Sequence, residues 1–360
     1  MRDQFRFVNA PERFLILDAL RGVLAFVVVL GHLGTPPIFG AIEQSDRLLS
    51  GMARLWRTLA FAPPAVIAFF VISGFCIHYP FACAAERKLP VLRFYLRRYL
   101  RIGIPVVAIV ALLQLMEPGA VVLGENSVLW RSTLWSVLCE EIYYALYPLL
   151  LLARRYVGMG SLLSGAALFS IAVIALTFPA VDWSDLGVVG ASTVLLPVWL
   201  LGAVLAEEVK SGQLPLSKHI DFRVGVGWWR VGAWGVMWLA LVMHFHGGLH
   251  QTATGLIVGA FAFMWLNAEL ANAATPNACL IWLGAWSYSL YLMHPLVISY
   301  VVRNGLDAHA SLASWALTMA LIIGFSYLFY VLVESPSHAL ARKVSLRAPE
   351  APGLAAQKSA

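Results

Sequence analysis

The sequence predicts an all-α protein: a polytopic membrane helical bundle of about ten transmembrane helices with both termini cytoplasmic. Three observations predict it. First, the 360 residues are 60% hydrophobic and 12% charged, against about 45–50% and about 25% in an average soluble domain. Second, apolar runs of the ~20 residues that a bilayer demands recur along the chain. Third, the basic residues segregate to one side when those runs alternate across a membrane. The composition excludes a disordered chain, a coiled coil and nearly all soluble enzymes. A β-barrel is excluded too, because its strands alternate apolar and polar residues over about ten positions.

The runs follow one another in order. The first, 14–34, contains Asp18, Arg21 and His32. No cleavage site follows a clean apolar core, so it reads as a retained helix rather than a signal peptide. The second, 58–79, ends in Ser73-Gly74, a small pair that lets another backbone approach closely. His78 lies at its inner boundary and reads as a solvated interfacial residue. The third, 102–117, is short and has a basic amphipathic lead-in. The fourth, 128–152, carries Glu140 and Glu141. The next four are 161–179, 187–206, 229–246 and 251–270. The ninth, 279–302, contains Ser287, Tyr291 and His294. The tenth, 311–333, runs into Glu334-Ser335-Pro336. Residues 1–340 read as one domain without an internal repeat. Residues 341–360, rich in Ala, Pro, Gly, Lys and Ser, read as a disordered cytoplasmic tail.

With the N-terminus in the cytoplasm, 19 Lys and Arg fall on inner segments and 5 on outer ones, with Arg21 inside a span. The net charge of +6 therefore reads as positive-inside topology rather than nucleic-acid binding. Cys76, Cys83, Cys139 and Cys279 are not spaced as a metal site or a disulfide framework, and read as small core residues.

Charged groups inside a span cost several kcal/mol, so each is a site candidate. Arg21 and His32 are 11 residues apart, three helical turns, and so share a face about 16 Å apart along the axis. They suit an anion-holding Arg and a His base on one internal pathway. The alternative is an Asp18–Arg21 packing pair with an interfacial His, which would not need His32 on the same stripe. Arg93, Arg97 and Arg101 form an i, i+4, i+8 stripe able to hold phosphates or anchor to anionic lipid. Arg98 adjoins it. Ser136 and Glu140 share one face of the fourth run, and Glu141 points about 100° away. Ser287, Tyr291 and His294 share a stripe that is either a pocket wall or an interhelical hydrogen-bonding seam. Glu334, at an inner helix end, opposes the dipole and calls for a cationic partner.

These motifs resemble those of the membrane-bound acyltransferase-3 family. Asp18-Ala19-Leu20-Arg21-Gly22 with His32 resembles its Arg-x10-His signature, and Phe69-Phe70-Val71-Ile72-Ser73-Gly74-Phe75 its second-helix motif. Arg97-Arg98-x-x-Arg101-Ile102 with Pro105 resembles its basic motif. Trp135-Ser136-x-x-x-Glu140-Glu141-x-Tyr143-Tyr144 with Pro148 resembles its acidic motif. Ser287-Tyr288-Ser289-Leu290-Tyr291-Leu292-x-His294 and Glu334-x-Pro336 resemble its late motifs. They stand in family order from residue 18 to 336. Two features depart from the pattern: Val66-Ile67-Ala68 stand where a polar residue often precedes the Phe-Phe pair, and the Arg that usually follows Gly-Phe is absent. No fused esterase-like domain follows the membrane domain.

The resemblance implies an integral-membrane O-acyltransferase, most often an O-acetyltransferase acting on envelope or exported carbohydrates. It implies acetyl-CoA as co-substrate, with no permanently bound cofactor and no metal. In that reading Arg97, Arg98, Arg101 and Arg21 hold the donor. His32 is the general base, and Glu140 orients an imidazole or holds Arg21. Tyr291 or His294 meets the oxyanion, and an acyl-His relay is also open. Asp18, Ser136, Glu141, Tyr288, Tyr291, His294 and Glu334 line the pocket. The expected partners are acyl-CoA, a carbohydrate or glycolipid acceptor and the bilayer, with room for a homo-oligomer or a separate extracytoplasmic transfer protein. The expected location is a bacterial inner membrane. A transporter or flippase of a lipid-linked saccharide, using the same intramembrane carboxylates and His, is the second reading. A non-catalytic assembly subunit is the third.

Overall fold

The computed structural model describes residues 14–38, 47–58, 62–83, 89–120, 127–177, 186–212, 222, 225–272 and 275–344. The 345–360 part of the expected tail lies outside them, as do Arg2, Arg6, Arg13, Arg87 and Lys88. The described residues are all-helical and contain no strand. Eight helical segments are long and apolar enough to cross a membrane.

Helix α1 is Leu15–Leu33, α2 Arg47–Thr58 and α3 Ala62–His78. Helix α4, Val91–Arg98, runs through a π turn at Tyr99–Gly103 into α5, Ile104–Met116. A second π turn, Trp130–Leu134, opens α6, Trp135–Thr177. Then come α7 Gly187–Ser211, α8 Val226–Gly247, α9 Gln251–Asn272, α10 Ala278–Ala285, α11 Ser287–Arg303 and α12 Leu312–Phe329. A last π turn, Tyr330–Glu334, leads into α13, Ser335–Arg342.

Eight differs from the expected ten at two places. Residues 135–152 and 161–177 of two expected runs lie in one 43-residue helical stretch, about 65 Å of rise and twice what a ~30 Å hydrocarbon core needs. It is broken at Gly158, whose φ of 79° and ψ of 160° are not helical. The run 279–302 is divided at Trp286 (φ −121°, ψ 18°) into α10 and α11, each shorter than a full span. Helix α2 was not foreseen, because its mixed Arg and Leu content hides it from a hydropathy window. Trp56 Nε1 at its end donates to the Pro36 carbonyl (3.0 Å), and Trp238 of α8 donates to Thr58 (3.0 Å).

Two crossings place the site. At α3–α7, a Cβ on Gly74 would lie 1.9 Å from the Trp199 carbonyl oxygen, and one on Gly202 would lie 2.0 Å from that of Val71. Only glycine admits that mutual approach, which brings Ser73 against Trp199. At α1–α10, a Cβ on Gly284 would lie 1.9 Å from the Asp18 carbonyl oxygen. This crossing fixes the turn that carries Asp18 and Arg21. Of the four cysteines only Cys139 is buried. The core reading fails for Cys76, which lines the cavity described below, for Cys83, and for Cys279, which lies in the first turn of α10.

Candidate active site

The bundle encloses a cavity of about 660 Å³. Helix α1 contributes Asp18 and Arg21. The α4 segment and its π turn contribute Arg97, Arg98 and Arg101; α6 contributes Ser136 and Glu140. Helix α11 contributes Tyr288 and Tyr291, and the π turn before α13 contributes Glu334. Residues from both ends of the chain thus meet in one space.

The arginine set differs from the expected stripe. Arg97, Arg98 and Arg101 line the cavity, and Arg93 is absent from its wall. The π turn at Tyr99–Gly103, with its i→i+5 bonding, takes Arg101 out of the 3.6-residue phase with Arg97, while Arg93 lies ahead of it in α4, in phase with Arg97 but one turn further along the axis. Arg342 and His338 of α13 join the same wall. The spacing Glu334, His338, Arg342 (i, i+4, i+8) was the available signal for them. Arg98 stacks over the rings of Phe94 and Tyr144, with its guanidinium carbon 5.8 and 5.6 Å from their centroids.

Glu140 terminates a hydrogen-bond network. Tyr144 donates to its Oε2 (3.2 Å), and the Ser73 hydroxyl lies 3.2 Å from that of Tyr144 and also hydrogen-bonds Glu140. Trp199 Nε1 donates to Ser73 Oγ (3.3 Å). Donors thus converge on the carboxylate in a connected array of the kind whose members strengthen one another. Glu141, expected in the pocket, does not line it. Its position one residue on turns it about 100° away, and both carboxylate oxygens are buried without a hydrogen-bond partner.

Glu334 is 2% exposed. Ser289 donates to its Oε2 from the backbone N–H (2.9 Å) and the hydroxyl (2.5 Å). His338 Nε2 lies 3.5 Å from its Oε1. The expectation of an opposed helix dipole is corrected, because the helix continues through the π turn into α13 and Glu334 lies at that helix's start.

His32 and His294 stand beyond the cavity wall. His32 is exposed and His294 is fully buried. Their Nδ1 and Nε2 atoms lie 2.9 Å apart and their rings stack at 24°. His294 Nδ1 meets the Leu290 carbonyl at 3.1 Å. The link to the cavity is Tyr291, one turn back, with its ring 6.0 Å from that of His294. Tyr291 and Ser136 share a 2.6 Å hydrogen bond, and the Ser136 hydroxyl also donates to the Thr133 carbonyl. Arg21 and His32 therefore do not line one continuous space. The Tyr291–Ser136 contact stands between them.

His78 is corrected from a solvated residue to a buried one. It is 0% exposed and bridges Tyr147 (3.1 Å) and Glu207 (2.7 Å). Arg154 pairs with the same carboxylate at 2.5 Å. The Cys83 backbone N–H donates to Glu207 at 2.9 Å, and its thiol lies 3.4 Å from the same oxygen. Partial burial and then the Glu207 carboxylate push that thiol above its ordinary value. This knot ties α3, α6 and α7 together. The sequence carried no signal for it, since Glu207 and Arg154 read as ordinary juxtamembrane charges. No group of three metal-ligating side chains occurs among the described residues.

A family model described as an acyltransferase domain matches residues 14–331. The chain is 26% identical to acyltransferase MdmB of Streptomyces mycarofaciens over 383 residues, covering 92% of each. It is 23% identical over 224 residues to a Staphylococcus aureus (strain COL) protein named "putative O-acetyltransferase", covering 56% of this chain and 35% of that one. No solved structure matches the chain.

Proposed function

This chain belongs to the acyltransferase-3 family of membrane acyltransferases, and from that premise we propose that it transfers acetyl from acetyl-CoA to a hydroxyl of a cell-envelope or exported carbohydrate. The observation that carries the proposal is the arginine-lined cavity ending at Tyr291, one helical turn short of the His32–His294 pair. The cytoplasmic membrane is the proposed location, with the arginine end inward as the positive-inside bias suggests.

The donor enters at the arginine end. Arg97, Arg98 and Arg101 offer forked guanidinium donors suited to phosphate oxygens. Arg21 holds the donor further in. The ~16 Å of helix between Arg21 and His32 matches an extended pantetheine arm, so the thioester reaches the histidines without CoA crossing. Its passage requires the Tyr291–Ser136 contact to open. His32 then takes the proton of the acceptor hydroxyl. The hydroxyl oxygen attacks the thioester carbonyl, and Tyr291 donates to the oxyanion. The tetrahedral intermediate collapses, the C–S bond breaks, and the thiolate leaves with the proton held by His32. Glu140 places its carboxyl group on the cavity wall that Arg21 also lines. Asp18, Tyr288 and Glu334 complete the donor wall.

Neither the family match nor the relatives favour a saccharide transporter. Acetyl-CoA binding to the detergent-solubilised protein tests the donor reading. Saturable binding weakened by Arg101→Ala is expected. Absence of binding would remove acetyl-CoA as the donor.

A further inference from the structure

We propose that His294 is a positioning residue that holds His32 in the tautomer protonated on Nδ1, leaving the His32 Nε2 lone pair as the base. The proposal rests on the reading of His32 as general base and adds how that base is prepared.

The argument runs along one line of hydrogen bonds. A carbonyl oxygen only accepts, so the His294 nitrogen 3.1 Å from the Leu290 carbonyl carries a hydrogen. Pro295 has no N–H, so the Tyr291 carbonyl lacks its helical donor and is a second backbone acceptor beside the ring. A neutral imidazole carries one hydrogen, so His294 Nε2 holds a lone pair. His32 Nδ1, 2.9 Å away, must then donate to it. The only lone pair left on a neutral His32 is on Nε2. His294 is fully buried and His32 is exposed. The buried ring is fixed by backbone, and the exposed ring is fixed by the buried one together with the Val28 carbonyl of its own helix. Both N–H groups point from the exposed ring toward the helix backbone, which also removes neutral His294 from the oxyanion role. A second ring nitrogen's hydrogen bond commonly decides which nitrogen of a histidine acts, and at metal-bound histidines losing such an outer partner costs about 10–100-fold.

The test uses the full-length protein in bilayers, with His294→Leu, His294→Gln and His32→Ala. Gln retains an oxygen near the place of Nε2 and can still accept from His32 Nδ1; Leu cannot. His294→Leu is expected to lower kcat about 10–100-fold with the KM for acetyl-CoA within about twofold, and His294→Gln is expected to recover a large part of the loss. Nitrogen-15 histidine spectra, with the His32 signal assigned by its absence in His32→Ala, are expected to give protonated Nδ1 and unprotonated Nε2 in the wild type. The same spectra should give a mixture of tautomers in His294→Leu. The proposal is overturned by wild-type His32 protonated on Nε2, by unchanged kcat in His294→Leu, or by a folded His294→Gln no more active than Leu. The tautomer readout needs no activity, so it stands if His294→Leu does not fold. Full activity in His32→Ala would instead overturn the general-base reading.

Discussion

His32 Nδ1 and His294 Nε2 lie 2.9 Å apart across 262 residues of chain. Helix α1 brings one and α11 the other, and the pair sits just past the Tyr291 end of an arginine-lined cavity. The Tyr291–Ser136 contact separates the arginine-lined cavity from the histidine pair, and the proposed donor path runs from one to the other through it.

The cavity is lined by Arg97, Arg98 and Arg101 and not by Arg93, so those three are the proposed phosphate contacts. Hydrogen bonds to charged groups contribute about 1.5–3 kcal/mol each. Arg101→Ala should therefore raise the KM for acetyl-CoA about 10–100-fold, and added salt should weaken donor binding in the wild type. Arg93→Ala should leave KM near wild type. Steady-state kinetics on the three single variants and Arg93→Ala decide between this set and the i, i+4, i+8 stripe.

The network of Trp199, Ser73 and Tyr144 ends on Glu140. Tyr144→Phe removes one donor to the carboxylate and the hydroxyl beside Ser73. A loss of about 1–3 kcal/mol in stability follows. Glu140→Gln should cost more activity than stability, because it replaces the carboxyl group on the cavity wall with an amide of the same shape. Thermal unfolding and thiol release on both variants separate the two effects.

Gly74 and Gly202 permit the α3–α7 crossing, with a Cβ at either landing 1.9 or 2.0 Å from a carbonyl oxygen. Overpacking a filled interior costs about 1–3 kcal/mol even when side chains can yield, and here the obstacle is backbone. Gly74→Val and Gly202→Val should each sharply reduce the yield of folded protein, while Gly165→Ala, in open space on α6, should not. Monodispersity after solubilisation reads the difference.

Cys83 has its thiol pushed above the ordinary value by partial burial and by Glu207. Less thiolate is then present near neutral pH, so alkylation should be slower than for a free cysteine and should accelerate only as pH rises past the usual thiol range. Glu207→Gln removes one cause, so the rate at neutral pH should increase. Timed maleimide labelling of a protein retaining only Cys83 checks both statements.

Much of the site was legible because its residues are expensive in lipid. Asp18, Arg21, Glu140 and Glu334 stand out in apolar runs for that reason alone, and the cavity gathers all four. What the sequence hid follows from local geometry and long-range contact. Gly158 ends a helix only through a positive φ that any loop glycine can adopt. Trp286 breaks a run whose nearby Gly284 reads as one more small residue in an apolar stretch. The π turn at Tyr99–Gly103 moves the arginine phase without altering composition. His78 finds Glu207 and Arg154 through folding alone, and nothing local to residue 78 says so. Cys76 reads as core because its neighbours are apolar, although its own face meets the cavity.

The most direct test of the central claim is thiol release from acetyl-CoA by the purified, detergent-solubilised protein with a panel of sugar acceptors, comparing wild type with His32→Ala and Arg21→Ala. The account predicts release by wild type and, in two variants that still fold, loss to background. Undiminished release in His32→Ala would contradict it.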